Sequence, residues 1–233
     1  LLAAVTDFTN LMLEGKTPPS VRSTIFGATL LAIAKKNGGT RPIAVGYVWR
    51  RLTAKVACSY VKEASATKLA PTQLRFGIQG GAEAAVRAAR RYLETMDRGQ
   101  VFAKIDFRNA FNTLRRDSIL EAVAKHFPEL LPFTISSIGS PSNLQFGDFM
   151  LSSEEGAQQG DPLGPLYFCM VFLELLQSLK SELTLGYLDD VAMGGDAKTI
   201  LEDFLHLEAT AKELGLELNL SKCEVVGHTE ETR

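Results

Sequence analysis

Two spacings of apolar residues alternate along this chain, and the switches between them outline its elements. Ala28 to Lys36 is apolar and then basic, and Thr40 to Gly46 follows as a second extended run. Between them stands Asn37-Gly38, a dipeptide favoured in two-residue turns, so a β-hairpin is predicted there. Val48, Leu52, Val56 and Tyr60 recur every four residues, which predicts an amphipathic helix over 48–62 with those side chains on its apolar face. Pro18-Pro19 opens a shorter helix near 19–26, and Gly80-Gly81 breaks the chain before an Ala- and Arg-rich helix over 82–97. From Val101 to Phe107 apolar residues alternate with Lys104 and Asp106, the period of a short strand. Helices are predicted near 117–126 and 128–138, and residues 139–156, rich in Gly, Ser, Pro and Asn, leave room for a hairpin. Pro162 and Pro165 suit a helix start, with a buried apolar run from Leu166 to Leu179. Thr184 to Met193 reads as strand, tight turn, strand; a helix at 196–214 and strands at 216–219 and 223–226 follow. Helices and strands mix without regular βα alternation, so the expected class is α+β.

Composition narrows this. The chain has 233 residues, 45% hydrophobic and 22% charged, with a mean hydropathy of +0.03, which is globular and excludes disorder as the dominant state. No apolar run reaches the roughly 20 residues that cross a bilayer, so no membrane is expected among its partners. The start, Leu-Leu-Ala-Ala, has neither an initiating Met nor a signal-peptide pattern, and the chain reads as a piece of something longer. Cys58, Cys169 and Cys223 are an odd number without paired metal spacing. A disulfide scaffold is disfavoured and a reducing, intracellular compartment is the expectation. The net charge of -2 hides an asymmetry: residues 1–82 hold 11 Lys/Arg against Asp7, Glu14 and Glu63, and the remainder carries -10. A basic front suggests a polyanion such as nucleic acid or a nucleotide phosphate, and an acidic back suits divalent cations.

Three aspartates carry the candidate chemistry. Asp106 closes the apolar run Phe102-Ala103-Lys104-Ile105-Asp106-Phe107, and Asp189-Asp190 sits inside Gly186-Tyr187-Leu188-Asp189-Asp190-Val191. Adjacent carboxylates between apolar residues repel each other and lose water, a cost that a divalent cation removes. Mg²⁺ takes oxygen ligands and commonly completes its shell with water and substrate phosphates, and two such ions serve in-line phosphoryl displacement. An Asp-Asp pair alone is better explained as turn chemistry, so other segments have to decide.

Those segments resemble the reverse transcriptase family, in particular the enzymes of non-LTR (LINE-like) retrotransposons. Tyr187-Leu188-Asp189-Asp190 resembles the family's YxDD box; FAKIDFRNAFNTL, Phe102 to Leu114, resembles the box with the first catalytic Asp. AQQGDPLGPL, Ala157 to Leu166, resembles the Gln-Gly box, LELNLSKCEVVG, Leu216 to Gly227, the Lys-bearing box, and Arg41-Pro42-Ile43 an RPI segment of the fingers. YxDD alone is a weak signal, whereas five boxes in the family's order are a specific one. The resemblance implies a right-hand polymerase with a ferredoxin-like palm sheet and helices packed behind it. It places fingers and the fingers/palm junction at 1–98, palm at 99–116, a fingers-side helical insertion at 117–146 and palm again at 147–233. The thumb and primer grip follow the Lys-bearing box in the family, so thumb and endonuclease segments are expected outside this chain.

The implied activity is RNA-directed DNA synthesis: dNTPs added to a DNA primer 3′-hydroxyl on an RNA template, with two Mg²⁺ ions for which Mn²⁺ can substitute. By resemblance Asp106 and Asp189 are the principal metal ligands, Asp190 is an additional one, and the carbonyl of Phe107 also reaches a metal. Phe111, which alone reads as a core aromatic, takes the steric-gate position against a ribose 2′-hydroxyl. Gly160 lets backbone approach the nucleotide, and Gln159 bonds its sugar and phosphate region. Asp161 reads equally as a helix cap. Arg41 is expected on the triphosphate, where a guanidinium binds bidentately, with Lys35 or Lys36 adding charge according to a register the sequence leaves open. Lys222 is the implied proton donor to pyrophosphate, and Arg50, Arg51 and Lys55 are candidates for template phosphates along one helix. Trp49 on that helix reads as a packing anchor. Two other readings stand beside this one: an RNA-making palm polymerase, which Phe111 argues against, and a non-catalytic nucleic-acid-binding relic of a mobile element.

Overall fold

The computed structural model describes residues 1–35 and 38–227. In chain order the elements begin with α1 (Leu2–Leu13), α2 (Pro19–Ile25), β1 (Ala28–Ala34), β2 (Thr40–Gly46), α3 (Val48–Leu69) and α4 (Gly81–Thr95). They continue with β3 (Gln100–Ile105), β4 (Phe107–Arg108), α5 (Ala110–Thr113), α6 (Arg116–His126), a 3₁₀ turn (Pro128–Leu130), α7 (Leu131–Ile138), β5 (Ser142–Phe146) and β6 (Phe149–Ser153). The chain then forms α8 (Gly164–Ser178), β7 (Leu183–Tyr187), β8 (Asp190–Asp196), α9 (Ala197–Glu213), β9 (Glu217–Leu218), a 3₁₀ turn (Leu220–Lys222) and β10 (Glu224–Gly227). The class is α+β, as expected. Two compact units result, one of Leu1–Val61 with Phe111–Tyr167, the other of Lys62–Ala110 with the chain from Phe168 onward. Among the described residues no helix is long and apolar enough to cross a membrane.

The first unit holds a four-stranded sheet in the order β2-β1-β5-β6. β1 and β2 pair antiparallel from Ala28 opposite Gly46 to Ala34 opposite Thr40, so the two strands of the predicted hairpin are present. Its turn residue Asn37 and the neighbouring Lys36 lie outside the described residues. β1 runs parallel to β5, and β5 and β6 form a hairpin whose first turn residue, Gly147, has φ +56°, the conformation that favours glycine. Met12, Phe26, Ile119, Val123, Phe133 and Leu163 are buried, and the rings of Phe26 and Phe133 meet edge to face at 5.9 Å.

The helix predicted over 48–62 runs to Leu69, and its faces are reversed. Val48, Val56 and Tyr60 are exposed, Tyr60 at 74%, whereas Arg50, Thr53, Ala54, Ala57 and Val61 are buried. Small residues on the inner face allow close approach, and that fit decides burial against the four-residue apolar spacing. Trp49, expected as a packing anchor, meets Phe8 edge to face at 5.2 Å but stays 40% exposed.

The second unit holds an all-antiparallel sheet in the order β10-β3-β8-β7. Val101, Ala103 and Ile105 of β3 are buried, while Lys104 points to solvent and lies 3.6 Å from Glu224 across the strands. α9 buries Ile200, Leu207 and Ala211 and starts at Asp196, whose carboxylate accepts from the Lys198 amide. Gly194 is a close approach: a β-carbon there would lie 2.6 Å from the ring of Tyr92 on α4. The predicted strand over 101–107 ends at Ile105, and Phe107–Arg108 pairs instead with Glu217–Leu218. Asp106 therefore stands between two ladders, its own carbonyl taken by the Asn219 amide at 2.8 Å.

Candidate functional site

The second unit carries the carboxylates. β3 and β8 pair with Ile105 opposite Val191, and continuing that antiparallel register by one residue sets Asp106 across from Asp190 at the end of the ladder. β7 and β8 are joined by Leu188-Asp189, with Tyr187 and Asp190 as the last pair, so the two acidic positions of the turn and Asp106 share one end of the sheet. Asp106 is one-fifth exposed; its Oδ1 accepts from Asn219 Nδ2 at 2.9 Å and lies 3.5 Å from Lys222 Nζ. The lysine thus offsets the carboxylate's charge while keeping its own head half-exposed. Tyr187 carries the Arg75 guanidinium over its ring at 5.5 Å.

The turn itself is backbone-strained. Leu188 has φ +59°, a left-handed conformation that costs a non-glycine residue about 1–3 kcal/mol unless its surroundings hold it. Its side chain packs against the buried cluster of Leu69, Cys169 and Leu173. Glycine would relieve the backbone and abandon that contact. Cys169 is fully buried and burial pushes its thiol up to about 12, so it stays neutral within the cluster.

Asp106, Asp189 and Asp190 offer oxygen donors alone, the chemistry hard divalent cations take. Among the described residues no three His, Cys, Asp or Glu side chains converge on one metal position. Phe107, expected near such a cation, is buried with its ring edge-on to Phe172 at 5.4 Å. Its side chain belongs to the core, and only its main chain is available to a ligand.

The first unit carries the other candidates. Gln159 and Ala44 are joined by a 2.7 Å bond from the Ala44 amide to the Gln159 carbonyl, which brings the Gln-Gly segment alongside β2. Gly160 has φ +121°, and a β-carbon on it would lie 2.4 Å from the Ala44 carbonyl oxygen. Only glycine satisfies both constraints. Beside this contact opens a cavity of about 530 Å³, lined in part by Pro42, Ala44, Asn112, Glu154, Gln158 and Gln159. Arg41 is exposed on β2 opposite Ile33, Lys35 is exposed just beyond β1, and Lys36 is outside the described residues. Phe111 is half-buried, and its carbonyl accepts from the Ala157 amide at 2.8 Å, tying α5 to the start of the Gln-Gly segment. Arg116 holds the other side of that segment, bonding Ser153 Oγ at 2.8 Å and the Gly156 carbonyl at 3.2 Å. Its burial lowers the guanidinium pKa from the usual arginine value.

Arg50 is a correction. Expected on template phosphates, it is 1% exposed and ion-paired with Asp161, Nη2 to Oδ2 at 2.5 Å. Its Nη1 donates to Gln158 Oε1 at 2.6 Å and to the Phe26 carbonyl. An arginine so paired is taken out of water and does not meet a polyanion. Asp161 does both jobs open to it: besides the ion pair, Oδ1 accepts from the Leu163 amide at 3.0 Å, a helix-capping bond before α8. Arg51 and Lys55, one turn apart on α3, are exposed. Three residues of the sites escaped the sequence reading. Gln158 bonds Arg50 and Ser142, Asn219 bonds Asp106, and Gln73 bonds Leu188. Gln158 and Asn219 lie inside boxes already singled out and were findable there; Gln73 lies in a polar stretch with no local signal.

The second unit's sheet thus ends in Asp106 and the Asp189-Asp190 turn, with Lys222 3.5 Å from Asp106, and in the first unit Gly160 is where the Gln-Gly segment meets β2. The reverse transcriptase (RNA-dependent DNA polymerase) profile matches residues 33–233, and the chain belongs to this family. It is 30% identical over 215 residues to the retrotransposable element SLACS 132 kDa protein of Trypanosoma brucei gambiense, covering 88% of this chain and 18% of that protein. It is 29% identical over 151 residues to the Pol polyprotein of the type-2 retrotransposable element R2DM of Drosophila melanogaster, covering 54% of this chain and 13% of that one. The chain thus spans less than a fifth of either curated relative. In fold it is similar to apo telomerase of Candida tropicalis, with a TM-score of 0.66 at 11% identity over 88% of this chain and 51% of that one. The fold is the fingers-and-palm fold of polymerases, the family is that of reverse transcriptases, and both curated relatives are proteins of retrotransposable elements. Reverse transcriptases use divalent metal ions and bind nucleic acid.

Proposed function

We propose that this chain is the fingers and palm of an RNA-directed DNA polymerase from a retrotransposon polyprotein, extending a DNA primer with dNTPs on an RNA template. The observation that carries the reading is the β3–β8 register, which sets Asp106 and the Asp189-Asp190 turn at one sheet end. Functionally, residues 1–98 and 117–146 serve as fingers and junction, and 99–116 and 147–233 as palm; the compact units are cut at other residues.

Asp106 and Asp189, with Asp190 beside them, would hold two Mg²⁺ ions, or Mn²⁺ in their place, which acidify the primer 3′-hydroxyl and stabilise the departing pyrophosphate. The protein supplies positioning and charge. Arg41 binds the triphosphate, with charge from Lys35 or Lys36. Gly160 admits the nucleotide against backbone, Gln159 bonds its sugar, and the Phe111 ring occupies the space a 2′-hydroxyl would need. Lys222 gives its proton to pyrophosphate, a role supported by its ammonium lying 3.5 Å from Asp106, beside the proposed reacting phosphates. Arg51 and Lys55 contact template phosphates without reading sequence. All three cysteines are free thiols, in keeping with a reducing, intracellular setting. Thumb and endonuclease functions belong to other polyprotein segments.

Primer extension with dNTPs on an RNA template tests this, with Asp106→Asn and Lys222→Met alongside. The reading requires activity lost in Asp106→Asn and reduced but retained in Lys222→Met. Undiminished extension by Asp106→Asn would remove its basis.

A further inference from the structure

We infer that Gln73 is a positioning residue that fixes the direction of the Asp189-Asp190 turn, an inference that rests on the catalytic reading of those aspartates. Gln73 is fully buried, and both ends of its carboxamide meet the backbone of Leu188. Its Oε1 accepts from the Leu188 amide at 2.9 Å, and its Nε2 donates to the Leu188 carbonyl at 3.3 Å.

The geometry explains why a side chain is used. The segment Thr72-Gln73-Leu74 lies parallel to β7: the Gly186 amide donates to the Thr72 carbonyl at 2.7 Å, and the Leu74 amide to the Gly186 carbonyl at 2.8 Å. In a parallel ladder the next amide to be satisfied is that of Leu188, two residues on. The Gln73 carboxamide meets it in place of a further peptide group and also meets the Leu188 carbonyl. Leu188 is the residue at φ +59°, so the clamp holds the strained residue immediately before Asp189. Gly186 makes the room: a β-carbon there would lie 2.9 Å from Gln73 Nε2. Side-chain packing of Leu188 against Leu69 and Leu173 closes the third side. Released, Leu188 returns toward ordinary β dihedrals and turns the following carboxylates away.

The test uses Gln73→Met, which keeps length and loses both bonds, and Gln73→Glu, which keeps the acceptor and loses the donor. Residue-resolved amide exchange reads the clamp directly. Leu188 exchange should rise about tenfold in Gln73→Met, the size of one lost hydrogen bond, while Val191 and Met193 within β8 keep their wild-type rates. Unchanged Leu188 exchange would overturn the clamp. Mn²⁺ titration followed by electron paramagnetic resonance reads the positioning: Gln73→Met should bind several-fold more weakly, with Gln73→Glu between it and wild type. Wild-type Mn²⁺ affinity in Gln73→Met would overturn the positioning role. Neither readout uses polymerase activity. Failure of the catalytic reading would show separately, as primer extension undiminished in Asp189→Asn.

Discussion

Replacing Arg50 by methionine keeps the length of the side chain and removes the guanidinium, and it separates two accounts of this residue. The Asp161 carboxylate, 5% exposed, would be left without its cation, and the Gln158 amide oxygen and Phe26 carbonyl would each lose a donor. Removing one partner of a buried ion pair costs about 3–5 kcal/mol, most of it from the charge left behind. At roughly 2–4 °C per kcal/mol for a chain of this size, the melting temperature should fall by about 6–20 °C. Urea unfolding followed by circular dichroism gives the free energy. The double variant Arg50→Met/Asp161→Leu should recover part of the loss, because no unpaired charge then remains. The salt dependence of RNA binding should stay as in wild type. A stability loss below about 1 kcal/mol, the range of exposed pairs, would refute this reasoning. So would a salt slope lowered by about one, the signature of a lost phosphate contact.

Other expectations follow from the same geometry. Gly160→Ala meets both a positive φ and the Ala44 carbonyl; it should destabilise by about 1–3 kcal/mol and raise the KM for dNTP in extension assays. Phe111→Ala should admit ribonucleotides, read as the ratio of rNTP to dNTP incorporation, and an unchanged ratio would remove the gate assignment. Burial pushes the Cys58 and Cys169 thiols up to about 12, from an ordinary value of 9.0. Both are neutral at pH 8, so alkylation of the folded chain followed by mass spectrometry should leave them unmodified until denaturant is added. Because these folded-state pKa values are raised, the associated stability is intact below about pH 9 and is lost as pH climbs toward 12. Melting temperatures measured from pH 8 upward should fall in that window.

What the sequence could and could not say divides along physical lines. The strand that leads to Asp106 and the one that begins at Asp190 were legible because period-2 alternation and a tight acidic turn are local features, and Val101, Ala103 and Ile105 are buried as that alternation requires. The Gln-Gly segment was legible as a box, and Gly160 has the backbone that only glycine adopts there. α3 was legible as a helix and not as to its faces. Its inner side is set by Thr53, Ala54 and Ala57 fitting closely and by Arg50 finding Asp161, 111 residues away, which no local period encodes. α1 was not anticipated; it starts without a side-chain cap. β4 was merged into β3 because the switch of partner at Asp106 depends on β9, more than 100 residues later. Gln73 was invisible for the same reason: its meaning lies in the backbone of Leu188, 115 positions on.

The most direct measurement is primer extension by this chain on matched RNA and DNA templates, with dNTPs or rNTPs, beside Asp189→Asn. The account predicts dNTP incorporation on the RNA template that disappears in the variant. Extension that persists in Asp189→Asn, or that runs on ribonucleotides in the wild-type chain, would contradict it.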